Sequence, residues 1–199
     1  MSLKQLLQSQ PFSITPLYHA SLITTRDLDD IIAMLENPKV TKFLFFAPAP
    51  EAVYREFFSP IIEQTQQAIE LEQWPEHPTV IIRDQQGRFM GMAGLTQVSM
   101  LEGNYEVGYQ LPEHAWNKGI ATAACQLMTQ LAFEQLNAHK VCADCYASNI
   151  GSVRALEKNN YRLEGRQSDY YQHDGEFDDR VLFGLSLKQY QQQPIDIVI

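Results

Sequence analysis

Apolar and polar positions recur along this chain in two different periods, and the switches between them mark out the elements. Leu22 and Ile23 predict a short first strand. Asp27 precedes Leu28, Ile31, Ile32 and Leu35, apolar positions at helical spacing, which predicts a capped helix ending at Asn37-Pro38. Val53, Phe57, Ile61, Ile62, Ala68 and Ile69 predict a second helix over 51–71, with a kink or break at Pro60. The β-branched run at 79–83, the turn residues Asp84-Gln85-Gln86-Gly87 and the run 89–98 read as a hairpin. Gly91 and Gly94 inside its second strand point to a bulge or a close backbone approach.

The second half is patterned more sharply. A strand over 105–111 stops at Pro112, and a loop leads to Gly119. A long helix follows, with Ala124, Leu127, Met128, Leu131 and Ala132 on one face. Residues 141–146 read as a strand, and Ser148-Asn149 opens a short helix through Leu156. Asn159-Asn160 stops that helix, because Asn tolerates the left-handed conformation. Residues 161–171 and 180–187 read as antiparallel strands around Asp174-Gly175. Strand, helix, strand, helix and hairpin in that order predict a mixed α/β sheet. The segment from about 189, ending QQQPIDIVI, reads as a flexible tail or a partner strand.

Composition narrows the classes. With 199 residues and 45% apolar side chains, one domain with a sizeable core is expected. The 15 basic and 24 acidic side chains leave a net charge of -9, which opposes nonspecific binding to nucleic acid or anionic membrane and suits cationic partners. The three cysteines, Cys125, Cys142 and Cys145, make no disulfide framework and suit a reducing compartment. Without a leader-like start or an apolar run of membrane length, a cytoplasmic protein is the expectation. Cys142 and Cys145 have metal-like spacing, but positions three apart on a strand point to opposite faces, so no metal is expected there. Trp74 and Phe43, Phe45 and Phe46 either line a pocket or pack in the core.

Three places carry candidate chemistry. The run Trp116-Asn117-Lys118-Gly119-Ile120-Ala121-Thr122 joins a strand to a helix. Free N–H groups and the positive dipole end would suit such a start to an anion, but taken alone it reads first as an ordinary strand–helix turn. Glu106 shares a strand face with Gly108 and Gln110, where a carboxylate serves either as general base or as a solvated surface group. Asn149 and Ser152 open the next helix, as ligand contact and proton donor or simply as cap and first-turn residue.

Taken in order, Tyr105-Glu106-Val107-Gly108-Tyr109, the 116–122 run, Asn149-Ile150-Gly151-Ser152, Leu156-Glu157-Lys158 and Tyr161-Arg162-Leu163-Glu164-Gly165 resemble the GNAT acetyltransferases, in their branch of RimJ/RimL-type ribosomal-protein N-terminal acetyltransferases. The resemblance is clear over 89–187 and thinner before it. It implies a single GNAT-like α+β domain over 1–199, with a mostly antiparallel sheet splayed between the strands at 105–111 and 141–146. Acetyl-CoA would lie in the opening. Its pantetheine arm would pair with Tyr109, Gln110 and Leu111. Its pyrophosphate would rest on the N–H groups of Asn117, Lys118, Gly119, Ile120, Ala121 and Thr122, with Asn149 and Ser152 touching it. Glu106 would be the base, backbone N–H groups near Tyr109 or Gln110 would hold the oxyanion, and Ser152 or Tyr161 would protonate the thiolate.

Trp116 and Asn117 stand where the branch usually has Gln or Arg and then Gly, and Asn160 replaces another Gly. Asn accepts positive φ better than most residues, so the backbone sites survive these changes. The implied acceptor is a primary amine, foremost a protein N-terminus. The rivals are a small-molecule amine, such as a polyamine, an amino acid or an antibiotic, and a non-catalytic acyl-CoA-binding module. Proteins of this fold often pair through sheet edges or C-terminal strands, so a homodimer is admissible.

Overall fold

The computed structural model describes residues 2–173 and 175–192. A 3₁₀ turn at Leu3–Gln8 leads into β1 (Phe12–Thr15) and β2 (Tyr18–Leu22). Then come α1 (Leu28–Leu35), α2 (Pro38–Thr41), α3 (Glu51–Glu70), β3 (Thr79–Asp84), β4 (Phe89–Gln97) and β5 (Asn104–Gln110). The chain continues through α4 (Ile120–Gln135), β6 (Lys140–Tyr146), α5 (Ile150–Lys158), β7 (Arg162–His173), β8 (Glu176–Ser186) and α6 (Leu187–Gln192). The eight strands form one sheet ordered β1-β2-β3-β4-β5-β6-β8-β7. Only β5 and β6 run parallel; every other neighbouring pair is antiparallel.

Helices cover the sheet unequally. On one face, Val80, Ile82, Ala93, Leu95, Val107, Val141 and Ala143 meet Ala124, Leu127, Met128 and Leu131, the face of α4 that the periodicity predicts. On the other, Ile81, Phe89 and Met92 meet α1 and α3 through Ile31, Leu35, Tyr54, Phe58 and Ile62. Those helices stop over β3 and β4. The matching face of β6 stays partly open, with Cys142, Asp144 and Tyr146 half-buried and alternating with buried Val141, Ala143 and Cys145.

Among the described strands, the one parallel pair is also a short one. It is paired only at Asn104↔Lys140, Tyr105↔Val141 and Glu106↔Cys142. Beyond that, β5 stays on β4 as far as Met92↔Gln110, and β6 stays on β8 as far as Tyr146↔Arg180. Each strand follows its antiparallel partner, and the twist of the two half-sheets carries them apart. This is the expected splay. Gly91 helps shape its β4 side: it has φ +136°, sits at a register shift against β3, and a Cβ there would stand 2.6 Å from the Gln110 carbonyl oxygen. A bulge that only glycine fits is what the sequence pattern called for.

Several expectations need correction. The 3₁₀ turn and β1 bury Leu3, Leu6, Phe12 and Ile14 before the predicted first strand. Pro60 does not interrupt α3. The break alternative is thus excluded: Pro60 removes one donor from the ladder, and the helix continues on both sides of it. Trp74 is no correction: of its two readings the structure takes packing, against the core and with its indole donating to Gln135 Oε1 at 3.3 Å. Residues 189–192 of the predicted tail lie in α6, which docks Tyr190 on Phe133 with rings stacked at 4.7 Å. Residues 193–199, like the Asp174 half of the β7–β8 turn, lie outside the described residues.

Candidate active site

The cleft is built from four pieces: the free edge of β5, the loop into α4, the start of α5 and the open face of β6. Strand alternation places Glu106 and Gly108 outward and turns Tyr105, Val107 and Tyr109 toward α4. Gly108 leaves open space: a Cβ there would find only Gln110 Nε2, 3.8 Å away. Past Glu106, no partner strand among the described residues covers the β6 side of β5, so its backbone groups there can pair with an extended ligand. At the end of that edge, the Leu111 carbonyl accepts from the Trp116 indole at 2.9 Å. The Leu111 carbonyl thus has one of its two acceptor positions filled, and Trp116 is fixed by that bond.

The loop then makes two left-handed steps, Asn117 at φ 58° and Gly119 at φ 76°. Asn117 thus does what Asn is expected to do in place of Gly, and Asn160 does so again at φ 62°. A Cβ on Gly119 would meet nothing within 4 Å, which leaves the concavity open. The first i→i−4 bond of α4 runs from the Ala123 N–H to the Gly119 carbonyl at 3.0 Å. The N–H groups of Ile120, Ala121 and Thr122 consequently have no partner inside the helix. Lys118 stands exposed beside them. A 16-residue helix with this start is a built anion cradle.

Across the splay, Asn149 caps α5, its Oδ1 accepting from the Ser152 N–H at 3.2 Å. Its amide nitrogen remains for a ligand. Ser152 Oγ lies 3.0 Å from the Tyr109 hydroxyl, and Tyr109 also donates to the Ser152 carbonyl at 3.2 Å. This hydroxyl pair bridges β5 and α5 where the sheet is open. Burial pushes the Tyr109 pKa far up, so its hydroxyl stays neutral and keeps its proton. The Tyr109 hydroxyl was not anticipated, since strand alternation alone says only that it faces inward. Tyr161 is different. It is buried in the core, and its hydroxyl lies 2.7 Å from Thr129 Oγ1 of α4. The contact of its hydroxyl is with α4, whereas Tyr109 and Ser152 meet each other at the open seam.

Glu106 stands alone. It is reached by solvent and makes no hydrogen bond or ion pair among the described residues. The cleft walls still push its pKa above the ordinary carboxylate value by desolvation, Asp144 pushes the same way, and Arg180 opposes. Asp144, by contrast, is saturated: Arg180 Nε and Nη2 bind its two oxygens at 2.8 Å each, and the Tyr171 hydroxyl donates to Oδ2 at 2.8 Å.

The acetyltransferase (GNAT) domain profile matches residues 21–162 of this chain. The chain belongs to that family. It is 25% identical over 174 residues to the putative ribosomal N-acetyltransferase YdaF of Bacillus subtilis (strain 168), covering 85% of this chain and 91% of that one. Two solved structures share the fold. One is RimL, ribosomal L7/L12 alpha-N-protein acetyltransferase, in complex with coenzyme A: TM-score 0.74, 13% identity, covering 90% of this chain and 99% of that one. The other is spermidine N-acetyltransferase from Vibrio cholerae in complex with CoA and spermine: TM-score 0.73, 16% identity, covering 89% of this chain and 99% of that one.

The protein is thus an N-acetyltransferase of the GNAT type with acetyl-CoA as acetyl donor. What the chain itself presents is a stretch of β5 without a strand partner among the described residues and, after it, the unpaired N–H groups at the start of α4. No helix among the described residues is long and apolar enough to cross a membrane.

Proposed function

We propose that this acetyltransferase acts on a primary amine held at Glu106, foremost the N-terminal α-amino group of a protein such as a ribosomal protein. The observation that carries the reading is the uncommitted Glu106 carboxylate at the mouth of the splay, where β5 loses its partner and faces the open side of β6. Bound acetyl-CoA supplies an activated acetyl thioester. Everything else falls to the chain.

Glu106 takes one proton from the acceptor ammonium, directly or through one water, and later passes it to solvent. The freed nitrogen forms its bond to the thioester carbonyl carbon as the C–S bond breaks. Backbone N–H groups near Tyr109 or Gln110 hold the charge that develops on the carbonyl oxygen. Of the two protons the ammonium loses, the second ends on the CoA sulfur. Ser152 is the relay for it: its hydroxyl donates to the departing thiolate and is refilled by the second proton of the acylated nitrogen, directly or by way of the Tyr109 hydroxyl, which ends with the proton it began with. The hydroxyl pair also keeps Ser152 from drifting, because Tyr109 grips both its Oγ and its carbonyl.

Calorimetry with acetyl-CoA followed by acetyl transfer to a peptide N-terminus and to free amines tests this reading. One site per chain and transfer to peptides support it. Binding with transfer only to a free amine would move the acceptor to the small-molecule class. Binding without transfer to any amine would leave an acyl-CoA-binding module.

A further inference from the structure

The open face of β6 presents a fixed sequence of chemistry to anything that enters beside Glu106. Cys142, level with Glu106, comes first, then Asp144, then Tyr146, all on one face. Each step is about 7 Å along the strand. The Asp144 step is electrically closed. Both of its oxygens are held by Arg180, Oδ2 also accepts from Tyr171, and the guanidinium is steadied by Tyr170, whose ring it covers at 4.9 Å. The next step is aromatic. Tyr146 stacks on Tyr171 with centroids 3.7 Å apart and planes within 10°, and Phe43, from the α2–α3 connection, meets Tyr146 edge-on at 5.8 Å.

Other carboxylates nearby are engaged as well. Asp178 accepts from the Ser148 hydroxyl, and Asp179 pairs with Arg166 and accepts from the Asp169 N–H. Along β6 the face therefore presents Glu106, without a partner among the described residues, then the Asp144–Arg180 ion pair one step away, then an aromatic wall beside which Asp178, held by a neutral hydroxyl, keeps its charge.

We infer that Arg180 and the Phe43–Tyr146–Tyr171 wall select the acceptor: a monoamine with an apolar or aromatic body next to its amine, and not a polyamine. This rests on the proposed use of Glu106 as the amine site. An ammonium placed at Glu106 sends its body along β6. A second ammonium one four-carbon spacer away arrives beside the Arg180 guanidinium, and the carboxylate there is already neutralised. Juxtaposing like charges is an effective device for rejecting a wrong ligand. An apolar group passes the ion pair and gains the stacked rings instead. In a peptide acceptor, the same wall receives the first side chain, so N-termini beginning with Phe, Leu or Met are favoured over those beginning with Gly or Ser.

Purified full-length enzyme with saturating acetyl-CoA would be assayed on phenethylamine, putrescine, spermidine, and short peptides beginning with Phe or Ser. The expected kcat/KM for phenethylamine and the Phe peptide exceeds that for the diamine, spermidine and the Ser peptide by about tenfold or more. Arg180→Gln, which unlocks Asp144, narrows the gap between phenethylamine and putrescine by about tenfold, mainly through KM for putrescine. Tyr146→Ala, which leaves the ion pair in place, lowers the Phe-over-Ser preference without improving putrescine. Should spermidine match or exceed phenethylamine on the wild-type protein, the inference falls while the acetyl-transfer reading stands. Should no amine accept acetyl from an enzyme that binds acetyl-CoA, both fall.

Discussion

Replacing Glu106 by Gln removes one function and almost nothing else. The side chain makes no hydrogen bond or ion pair, so an isosteric amide leaves the strand and its neighbours in place. General-base catalysis contributes about 10²–10⁴ in rate, or about 3 to 5 kcal/mol of barrier. Glu106 is solvent-reached, so water can carry away the ammonium proton unaided. The loss therefore belongs near the lower end, about a hundredfold in kcat/KM. Acetyl-CoA affinity stays within about twofold, because its contacts lie at the β5 edge and the α4 start.

The pH profile is the sharper readout. Desolvation and Asp144 raise the Glu106 pKa, with Arg180 opposing and the Cys142 thiol, itself pushed up to about 11, neutral alongside. The base works only when ionised, so wild-type kcat/KM falls as pH drops through a value above 4.5, and that acid limb disappears in Glu106→Gln. Because a raised acid pKa means the fold disfavours the ionised carboxylate, the substitution does not lower Tm at neutral pH. CoA release followed with a thiol reagent, calorimetry with acetyl-CoA and a thermal melt measure the three parts. A variant within about twofold of wild-type kcat/KM at every pH removes Glu106 from the mechanism.

Three further outcomes are expected. Tyr161→Phe loses the contact with Thr129, costs about 1 kcal/mol in chemical denaturation, and keeps kcat within about twofold, since that hydroxyl lies in the core; a hundredfold loss would make Tyr161 the proton donor. Ser152→Ala lowers kcat at unchanged acetyl-CoA affinity, and a good thiolate leaving group, as in a nitrophenyl thioester donor, restores much of the rate; no rescue would assign Ser152 to structure alone. Gly91→Ala places a methyl 2.6 Å from the Gln110 carbonyl at φ +136° and costs about 2 kcal/mol or more, read as a Tm lower by about 4 °C or more; an unchanged melt would mean that the bulge relaxes freely.

Much of this arrangement follows from local patterns. The apolar face of α4, the β3–β4 hairpin, the outward row Glu106–Gly108 and the left-handed Asn117 and Asn160 each depend on a few neighbouring residues and on backbone sterics. So does the anion-ready start of α4, because unpaired N–H groups are a property of every helix beginning. Local patterns were silent about the 3₁₀ turn and β1 at the N-terminus, which are too short to show a period and are held by the core they complete.

The tertiary structure decided which hydroxyls and charges meet. Tyr109 and Ser152 are 43 residues apart, Asp144 and Arg180 are 36 apart, and Tyr161 meets Thr129 of α4. No periodicity encodes such pairings, because they arise when strands from distant segments are set in register. The same holds for the standing of the two carboxylates. Read along the chain, Glu106 and Asp144 are both acidic residues on strands; in the folded sheet, Arg180 arrives on β8 beside Asp144 and binds neither oxygen of Glu106.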